Sequence, residues 1–164
     1  MLKLITKITA AIAVVSIALF GSANAKTLKI ETHFTASSPN GEVAAQFAKN
    51  VEMFSGGSLK IQMFYSSSVT GKSAEVFNSA QTGIIDCDMT GAGYQTGKNA
   101  AFQFAGDVMG GYDNPYQQYD FLKFPGAQDA VDALYNKYGM TLIGWWIPGH
   151  ESLISSKPIP DVAS

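Results

Sequence analysis

The sequence contains no arginine, so its eleven basic residues are all lysines. After the first 25 residues, nine lysines stand against thirteen acidic side chains, and the net charge of this part is −4. This balance argues against a nucleic-acid-binding protein, because such a protein needs a basic face to neutralise phosphates. These 164 residues also lack the planar guanidinium group that binds a carboxylate through two parallel hydrogen bonds.

Cysteine and histidine are also scarce. Cys87 is the single cysteine, so the sequence forms no internal disulfide, and its apolar surroundings predict a small buried side chain. His33 and His150 are the only histidines, and neither HExxH nor CxxC spacing occurs. We therefore expect no metal ion held by the protein's own ligands.

Common signatures of enzymes are missing as well. The sequence has no GxSxG motif, and the glycine-rich segment "TGAGYQTG" (90–97) matches neither GxGxxG nor a P-loop. We therefore predict that the protein is not an enzyme. One alternative stays open, because His150 and Glu151 are adjacent in "GWWIPGHESLISSKPI" and could serve a secreted hydrolase or isomerase as an acid–base pair.

The first 25 residues have the three-part order of a secretory signal peptide. Two lysines precede the apolar run Ile8–Phe20, and Ala23 and Ala25 are the small residues that a signal peptidase reads. The run has 13 residues, which is short of the roughly 20 needed to span a bilayer as an uncleaved anchor. We therefore predict cleavage between Ala25 and Lys26 and a periplasmic location.

Strand-like and helix-like patterns alternate in the next part of the chain. The strand-like segments have alternating or continuous apolar residues, and the helix-like segments repeat apolar residues every three or four positions. Capping serines and terminal glycines mark the two helices, which run from Ser38 to Gly56 and from Ser73 to Gly83. This β-α-β-α-β order predicts an α/β fold with parallel strands, whose ligands bind beyond the carboxyl ends of the strands. The predicted strands are Thr27–Phe34, Ser58–Tyr65 and Ile84–Met89.

The second half of the chain is less regular. Thr90–Pro115 is rich in glycine and aromatic residues, so we expect a long loop with short structured pieces. Two helices are predicted at Gln117–Phe124 and Gly126–Gly139, the second with an apolar face that ends at a glycine. The apolar run Met140–Trp146 predicts a buried strand, and Ser152–Ser156 predicts another short one.

Aromatic residues near the predicted strand ends suggest a binding site. Phe34, Tyr94 and Trp146 could enclose a small ligand, and glycine-rich loops let backbone N–H groups approach an anion. The alternative is that these rings belong to the hydrophobic core. Tyr94 lies between glycines directly after a predicted strand, which favours contact with a ligand.

Several ordered segments together resemble a known family. The signal peptide is followed by "LKIETHFTASSPNGEVAAQFAKNVEMFSGGSLKIQMF", then by "TGIIDCDMTGAGY", "GKNAAFQF" and "GMTLIGWWIPGHESLISSKPI". This series resembles the periplasmic solute-binding proteins of tripartite ATP-independent periplasmic (TRAP) transporters, the DctP type. The segment "TGAGYQTGKNAAFQF" is most similar to the subgroup that binds 2-oxo acids and related small carboxylates.

The resemblance implies a type II periplasmic-binding-protein-like α/β fold with two lobes joined by crossing segments. Residues 1–25 would be the signal peptide, 26–139 the first lobe, and 140–164 the crossing strands into a truncated second lobe. Family members are about twice as long as this sequence, so we expect it to be an N-terminal fragment. The implied partners are a small-molecule carboxylate and the membrane permease subunits of an importer that an ion gradient drives. A receptor for an ATP-driven importer is the alternative.

The resemblance also suggests binding residues. Tyr94 matches a cleft tyrosine of the 2-oxo acid subgroup, and Phe34 belongs to a first loop that lines the cleft in the family. His150 or Glu151 falls at a cleft position where other members carry arginine or an amide, and this departure leaves the substrate class open. The family's carboxylate-binding arginine would lie beyond Ser164. No cofactor is implied, although some 2-oxo acid binders hold a cation beside the ligand.

Overall fold

A three-stranded parallel sheet forms the first half of the protein. The computed structural model describes residues 25–106, 108, 111–147 and 154–158. Strand β1 (Lys26–Thr32) lies in the centre, with β2 (Leu59–Phe64) on one side and β3 (Cys87–Met89) on the other. All strand pairs are parallel, as the β-α-β-α-β pattern predicted.

Two crossover connections place a helix on each face of this sheet. Helix α1 (Pro39–Phe54) leads from β1 to β2. A 3₁₀ turn (Ser73–Glu75) and helix α2 (Val76–Gln81) lead from β2 to β3. The first crossover runs from β1 to β2, and the second runs back past β1 to β3, in the opposite direction. Right-handed crossovers in opposite directions bring their helices to opposite faces, so the sheet is covered on both sides. Because β1 and β3 are parallel, their carboxyl ends meet at one edge of the sheet.

Helix α1 begins as predicted. The Ser38 side chain accepts a hydrogen bond from the backbone N–H of Gly41 at 3.1 Å, and Pro39 takes the first helical position. Gly56, with φ +60°, ends the helix in the left-handed conformation.

The apolar residues that repeat along α1 do not all face the core, because Val43 and Phe54 are exposed by 51% and 81%. The residues that α1 buries are instead small ones. The reason is the close approach of the backbone, since a Cβ atom at Gly41 would overlap the carbonyl oxygen of Thr35. The buried residues are Gly41, Ala44 and Ala48.

The second crossover also departs from prediction at its start. Ser73 is not an N-cap, because the chain begins there as a 3₁₀ turn that Lys72 precedes without a side-chain capping bond. Val76 and Phe77 are fully buried. Gly83, with φ +77°, follows the end of the helix.

Strand β3 is shorter than the predicted Ile84–Met89. It begins only at Cys87, and Ile84 is exposed. Asp86 explains the late start, because its carboxylate accepts the Lys29 N–H at 2.8 Å while its own N–H donates to the Lys29 carbonyl at 2.8 Å. A side-chain oxygen thus takes a place that a backbone carbonyl would hold in a regular ladder.

The second half of the chain is helical. Two 3₁₀ helices, Ala92–Gln95 and Ala100–Ala105, are the short structured pieces expected in the long loop. Helix α3 (Pro115–Lys123) and helix α4 (Pro125–Asn136) follow, joined at Phe124. Both helices were predicted, with boundaries a few residues different.

The helical half packs onto α2 through a hydrophobic core. Phe77 from α2 and Phe102 from the second 3₁₀ helix are fully buried with their ring centroids 5.8 Å apart, edge to face. Tyr135 and Tyr138 contact both rings at centroid distances of 5.2–6.0 Å. The complete core cluster of buried residues is Phe77, Ala92, Phe102, Ala105, Val131 and Leu134.

The strand predicted at Met140–Trp146 is wrong. Residues 140–147 form no regular element, and Ile143 is 74% exposed. An apolar run favours burial, but a strand also requires a hydrogen-bonded neighbour, and the described residues place none beside this segment. Met140, Leu142 and Trp145 instead pack against the core cluster.

Two further predictions fall wholly or partly outside the described residues. The signal peptide precedes them, except for Ala25. Of the strand predicted at Ser152–Ser156, only 154–156 is described, and this part is not a strand. None of the described helices is both long and apolar enough to cross a membrane.

Candidate functional site

Four rings come together where β1 and β3 end. His33 and Phe34 follow β1 directly, and their ring centroids are 3.9 Å apart. Tyr94, from the loop after β3, meets His33 edge to face at 5.3 Å. Trp146 packs against Phe34 at 5.6 Å. We call His33, Phe34, Tyr94 and Trp146 the aromatic cluster.

The aromatic cluster differs from the core cluster in its access to solvent. Tyr94 is 46% exposed, while His33, Phe34 and Trp146 are half-buried. Rings that pack on one another and still reach water can present both apolar faces and polar edges to a small ligand. The sheet topology therefore places an open aromatic surface at the edge where ligands of α/β proteins bind.

The turn after β2 closes one side of this surface. Ser66 donates its N–H to the carbonyl of Phe34 at 2.9 Å, and Ser67 donates to the carbonyl of Thr32 at 3.1 Å. Both serines have positive φ angles, 57° and 50°, which are unfavourable for residues other than glycine. Hydrogen bonds to the end of β1 thus hold the turn in this conformation.

Burial favours the neutral form of His33. It lowers the pKa of the imidazole below the ordinary value of 6.5. The buried Nδ1 atom has no hydrogen-bond partner among the described residues. A neutral imidazole donates from one nitrogen and accepts at the other, so His33 can give a ligand a single hydrogen bond without adding positive charge.

Two carboxyl groups lie beneath the aromatic cluster, in the strands themselves. Glu31 on β1 and Asp88 on β3 are partners in the register of the sheet, and Glu31 is completely buried. Burial raises the pKa of Asp88 to about 6; the side chain and backbone of Thr90 lower it, and the charge of Glu31 raises it. Burial, and then the charge of Asp88, raise the pKa of Tyr135 to about 12.

Sequence reasoning missed these two acids. The only signal was a charged residue within each strand, in "KIET" and "CDMT", where parallel strands are normally apolar. Cys87, which stands between Asp86 and Asp88 in the sequence, is half-buried, and the pKa of its thiol is raised by burial and then by these two aspartates. The prediction of a small buried side chain is therefore met only in part.

The acids do not form a recognisable metal site. Within the described residues, no three His, Cys, Asp or Glu side chains are arranged so that they could hold a metal ion.

Two of the four predicted binding residues lie together, because Phe34 and Tyr94 both contact His33. His150 and Glu151 lie outside the described residues. Trp146 was the third aromatic residue considered from the sequence, and it joins Phe34. The sequence marked His33 only as one of two histidines, so its central position in the aromatic cluster is a finding of the structure.

The sequence profile of the bacterial extracellular solute-binding proteins of family 7, DctP, matches residues 30–164. The chain belongs to this family. No curated protein matches it.

Solved structures agree with this assignment. A TRAP periplasmic solute-binding protein from Rhodobacter sphaeroides, in an apo open form, is 26% identical with a TM-score of 0.67, over 72% of this chain and 37% of that one. A second TRAP protein, from Pseudoalteromonas atlantica with bound sodium and pyruvate, is 20% identical with a TM-score of 0.64, over 71% and 35%. DctP6, a Bordetella pertussis receptor that binds pyroglutamic acid, is 22% identical with a TM-score of 0.60, over 72% and 38%.

These likenesses show a type II periplasmic-binding-protein fold. The matched part spans little more than a third of the length of each of these structures. The family and its solved relatives are solute-binding receptors rather than enzymes. The division into a first lobe at 26–139 and a crossing at 140–164 stays a prediction.

Proposed function

We propose that this DctP-family chain is part of an extracytoplasmic receptor that captures a small organic acid for a TRAP importer. The observation that carries the proposal is the aromatic cluster at the carboxyl ends of β1 and β3, in a chain whose family consists of solute receptors. Ligands of open α/β sheets bind at this edge. The chemistry available there suits a small, partly planar molecule with a hydrogen-bond acceptor.

The proposed ligand is a 2-oxo acid or a similar small carboxylate. Two solved relatives are described with pyruvate and with pyroglutamic acid, both small carboxylates, although they are too distant to show more than the fold. The flat face of a 2-oxo acid can stack on an aromatic ring, and its oxygens need hydrogen-bond donors. The single donor of neutral His33 cannot balance a carboxylate charge, so a cationic group must complete the site.

The proposal gives each of these residues a role. Phe34 supplies an apolar wall, since its ring is packed between His33 and Trp146. Tyr94 supplies a hydroxyl on an exposed ring and can donate a hydrogen bond to the ligand. We propose that His150 or Glu151 contributes from the crossing segment: His150 as a donor to the carboxylate, or Glu151 as a contact for a cation bound with it.

The proposal extends to location and delivery. A signal peptide cleaved between Ala25 and Lys26 would place the receptor in the periplasm. There it would present the acid to the membrane permease subunits, and an ion gradient would drive uptake. The alternative partner is an ATP-driven importer, and neighbouring genes for one small and one large membrane subunit would favour the TRAP system.

Titration calorimetry tests the proposal. The protein is expressed from its complete gene with the leader removed, and titrated with pyruvate, longer 2-oxo acids, dicarboxylates and sulfonates. We expect saturable binding of at least one carboxylate, weakened about tenfold or more by Tyr94→Ala through the loss of a hydrogen bond and stacking area. Tyr119→Ala, an exposed tyrosine of helix α3, is the matched control and should bind like the wild type.

Two results would count against the proposal. Binding of none of these acids would remove its support, and binding that Tyr94→Ala leaves unchanged would move the site elsewhere. The hydrolase or isomerase alternative predicts turnover of a substrate that His150→Ala abolishes.

A further inference from the structure

Glu31 is an unusual residue for the centre of a parallel sheet. Its strand β1 is paired on both sides, and its neighbours in register are Phe64 and Asp88. The side chain is 0% exposed. A carboxylate in such a place is unfavourable unless hydrogen bonds compensate for the water that it has lost. The residue must therefore be judged by what its two oxygens contact.

One oxygen of Glu31 reaches the turn that follows β2. Its Oε1 accepts the N–H of Val69 at 2.6 Å and, more weakly, that of Thr70 at 3.4 Å. The distance to Val69 is short for a hydrogen bond from a backbone N–H to an oxygen. Its other oxygen, Oε2, is buried and has no partner in the described part of the chain. Both hydrogen bonds of the carboxylate are therefore made to this one turn.

That turn is the one bonded to the aromatic cluster. Ser66 donates to the carbonyl of Phe34, and Ser67 to that of Thr32. Because both serines adopt left-handed backbone angles, the turn needs outside contacts to keep its shape. Glu31 holds its far end at Val69, while the carbonyls of Thr32 and Phe34 hold its near end.

We infer that Glu31 is a positioning residue of the binding site: its buried carboxylate fixes the turn 66–70 and, through the Ser66 hydrogen bond, the position of Phe34. This inference rests on the proposed function, because it assigns Phe34 to the ligand site. Glu31 itself is completely buried. Its effect on binding passes through the turn.

Three substitutions separate this role from a general contribution to the core. Glu31→Gln keeps an acceptor oxygen at the same reach and removes the charge. Glu31→Asp keeps the charge but withdraws the carboxylate by one methylene. Glu31→Met keeps the length and removes every acceptor. Glu52→Met is the matched control, because Glu52 Oε1 also accepts a backbone N–H, that of Ile61 at 3.2 Å, on the exposed side of α1.

Amide hydrogen exchange measures the anchoring directly. In the full-length product of the gene, Glu31→Asp and Glu31→Met should speed exchange of the Val69 and Ser66 amides about tenfold, which corresponds to the loss of one hydrogen bond. Glu31→Gln should stay within about threefold of the wild type, since a neutral acceptor retains most of the bond. Glu52→Met should leave both amides unchanged.

Ligand affinity tests whether the anchor serves the site. For the tightest acid of the calorimetric panel, we expect Glu31→Asp to weaken binding by about tenfold, Glu31→Gln by less than about threefold, and Glu52→Met not at all. If Glu31→Met fails to fold, the difference in affinity between Glu31→Asp and Glu31→Gln still tests whether Glu31 positions the site.

The outcomes separate the inference from the proposed function. Unchanged exchange at Val69 and Ser66 in Glu31→Asp overturns the inference whatever the ligand does. Faster exchange with unchanged affinity also overturns it, because the turn would then not serve the site. A wild-type protein that binds none of the acids defeats the proposed function, while the exchange rates still show whether Glu31 anchors the turn.

Discussion

Replacing Asp88 by asparagine should make the protein more stable at neutral pH. Burial raises the pKa of Asp88 from 3.8 to about 6, because the ionised form loses its water and its Oδ1 finds no partner among the described residues. The folded state therefore binds the proton more tightly than the unfolded state does. The stability from protonated Asp88 is full below pH about 4 and is lost as the pH rises through about 6.

The expected gain in the free energy of unfolding follows from the shift in the pKa of Asp88. A difference of about two pKa units corresponds to about 3 kcal/mol at a pH above both values, since each unit is worth about 1.4 kcal/mol. Asparagine has nearly the same shape and never ionises. Asp88→Asn should therefore raise the free energy of unfolding by up to about 3 kcal/mol at pH 7.5 and change it little at pH 4.

Urea unfolding of wild type and variant at pH 4, 5.5 and 7.5 measures this difference. Comparing the two proteins at each pH cancels the contribution of the other carboxyl groups. Asp120→Asn, an exposed aspartate on helix α3, is the control and should show no pH-dependent gain. A gain from Asp88→Asn that is equal at pH 4 and pH 7.5, or a loss at pH 7.5, would refute the reasoning.

Three further substitutions and one control test the packing and a helix cap, each by urea unfolding. Phe77→Ala removes a fully buried ring of the core cluster and should cost about 3–5 kcal/mol; a cost below about 1 kcal/mol would contradict a packed core. Gly41→Ala places a Cβ against the carbonyl oxygen of Thr35 and should cost about 1–3 kcal/mol. Gly97→Ala, where a Cβ meets nothing within 4 Å, should change stability little, and equal costs at the two glycines would refute the close approach. Asn114→Ala removes the side chain that accepts two backbone N–H groups at the start of α3 and should cost about 1 kcal/mol; an unchanged midpoint would show that this cap is not needed.

The sequence predicted the elements whose signals are local. Alternation and β-branched residues located β1 and β2, and the capping residue Ser38 located the start of α1. Gly83 and Gly139 marked helix ends because both adopt positive φ angles. Such signals depend only on residues close in sequence, so a single sequence reveals them.

What the sequence did not predict depends on distant partners. The face that α1 buries is set by how closely its backbone approaches the loop at Thr35, and β3 begins late because the Asp86 side chain bonds to Lys29. The segment 140–147 is apolar, yet it pairs with no described strand. None of these contacts leaves a periodic signal along the chain.

In the candidate site, too, local signals were predicted and distant contacts were not. Position after a strand end pointed to Phe34 and Tyr94, and parallel topology brings them to His33. Glu31 and Val69 are 38 residues apart in the sequence, so no local motif predicts their hydrogen bond or the burial of Glu31.

The central claim is that a small carboxylate binds against the aromatic cluster. A crystal structure of the complete protein with the tightest acid of the calorimetric panel tests it most directly. We expect the acid to lie within about 4 Å of the rings of Phe34 and Tyr94, which is the range of direct contact between side chains and ligand. An acid bound elsewhere, with these two rings in contact only with each other and their protein neighbours, would contradict it.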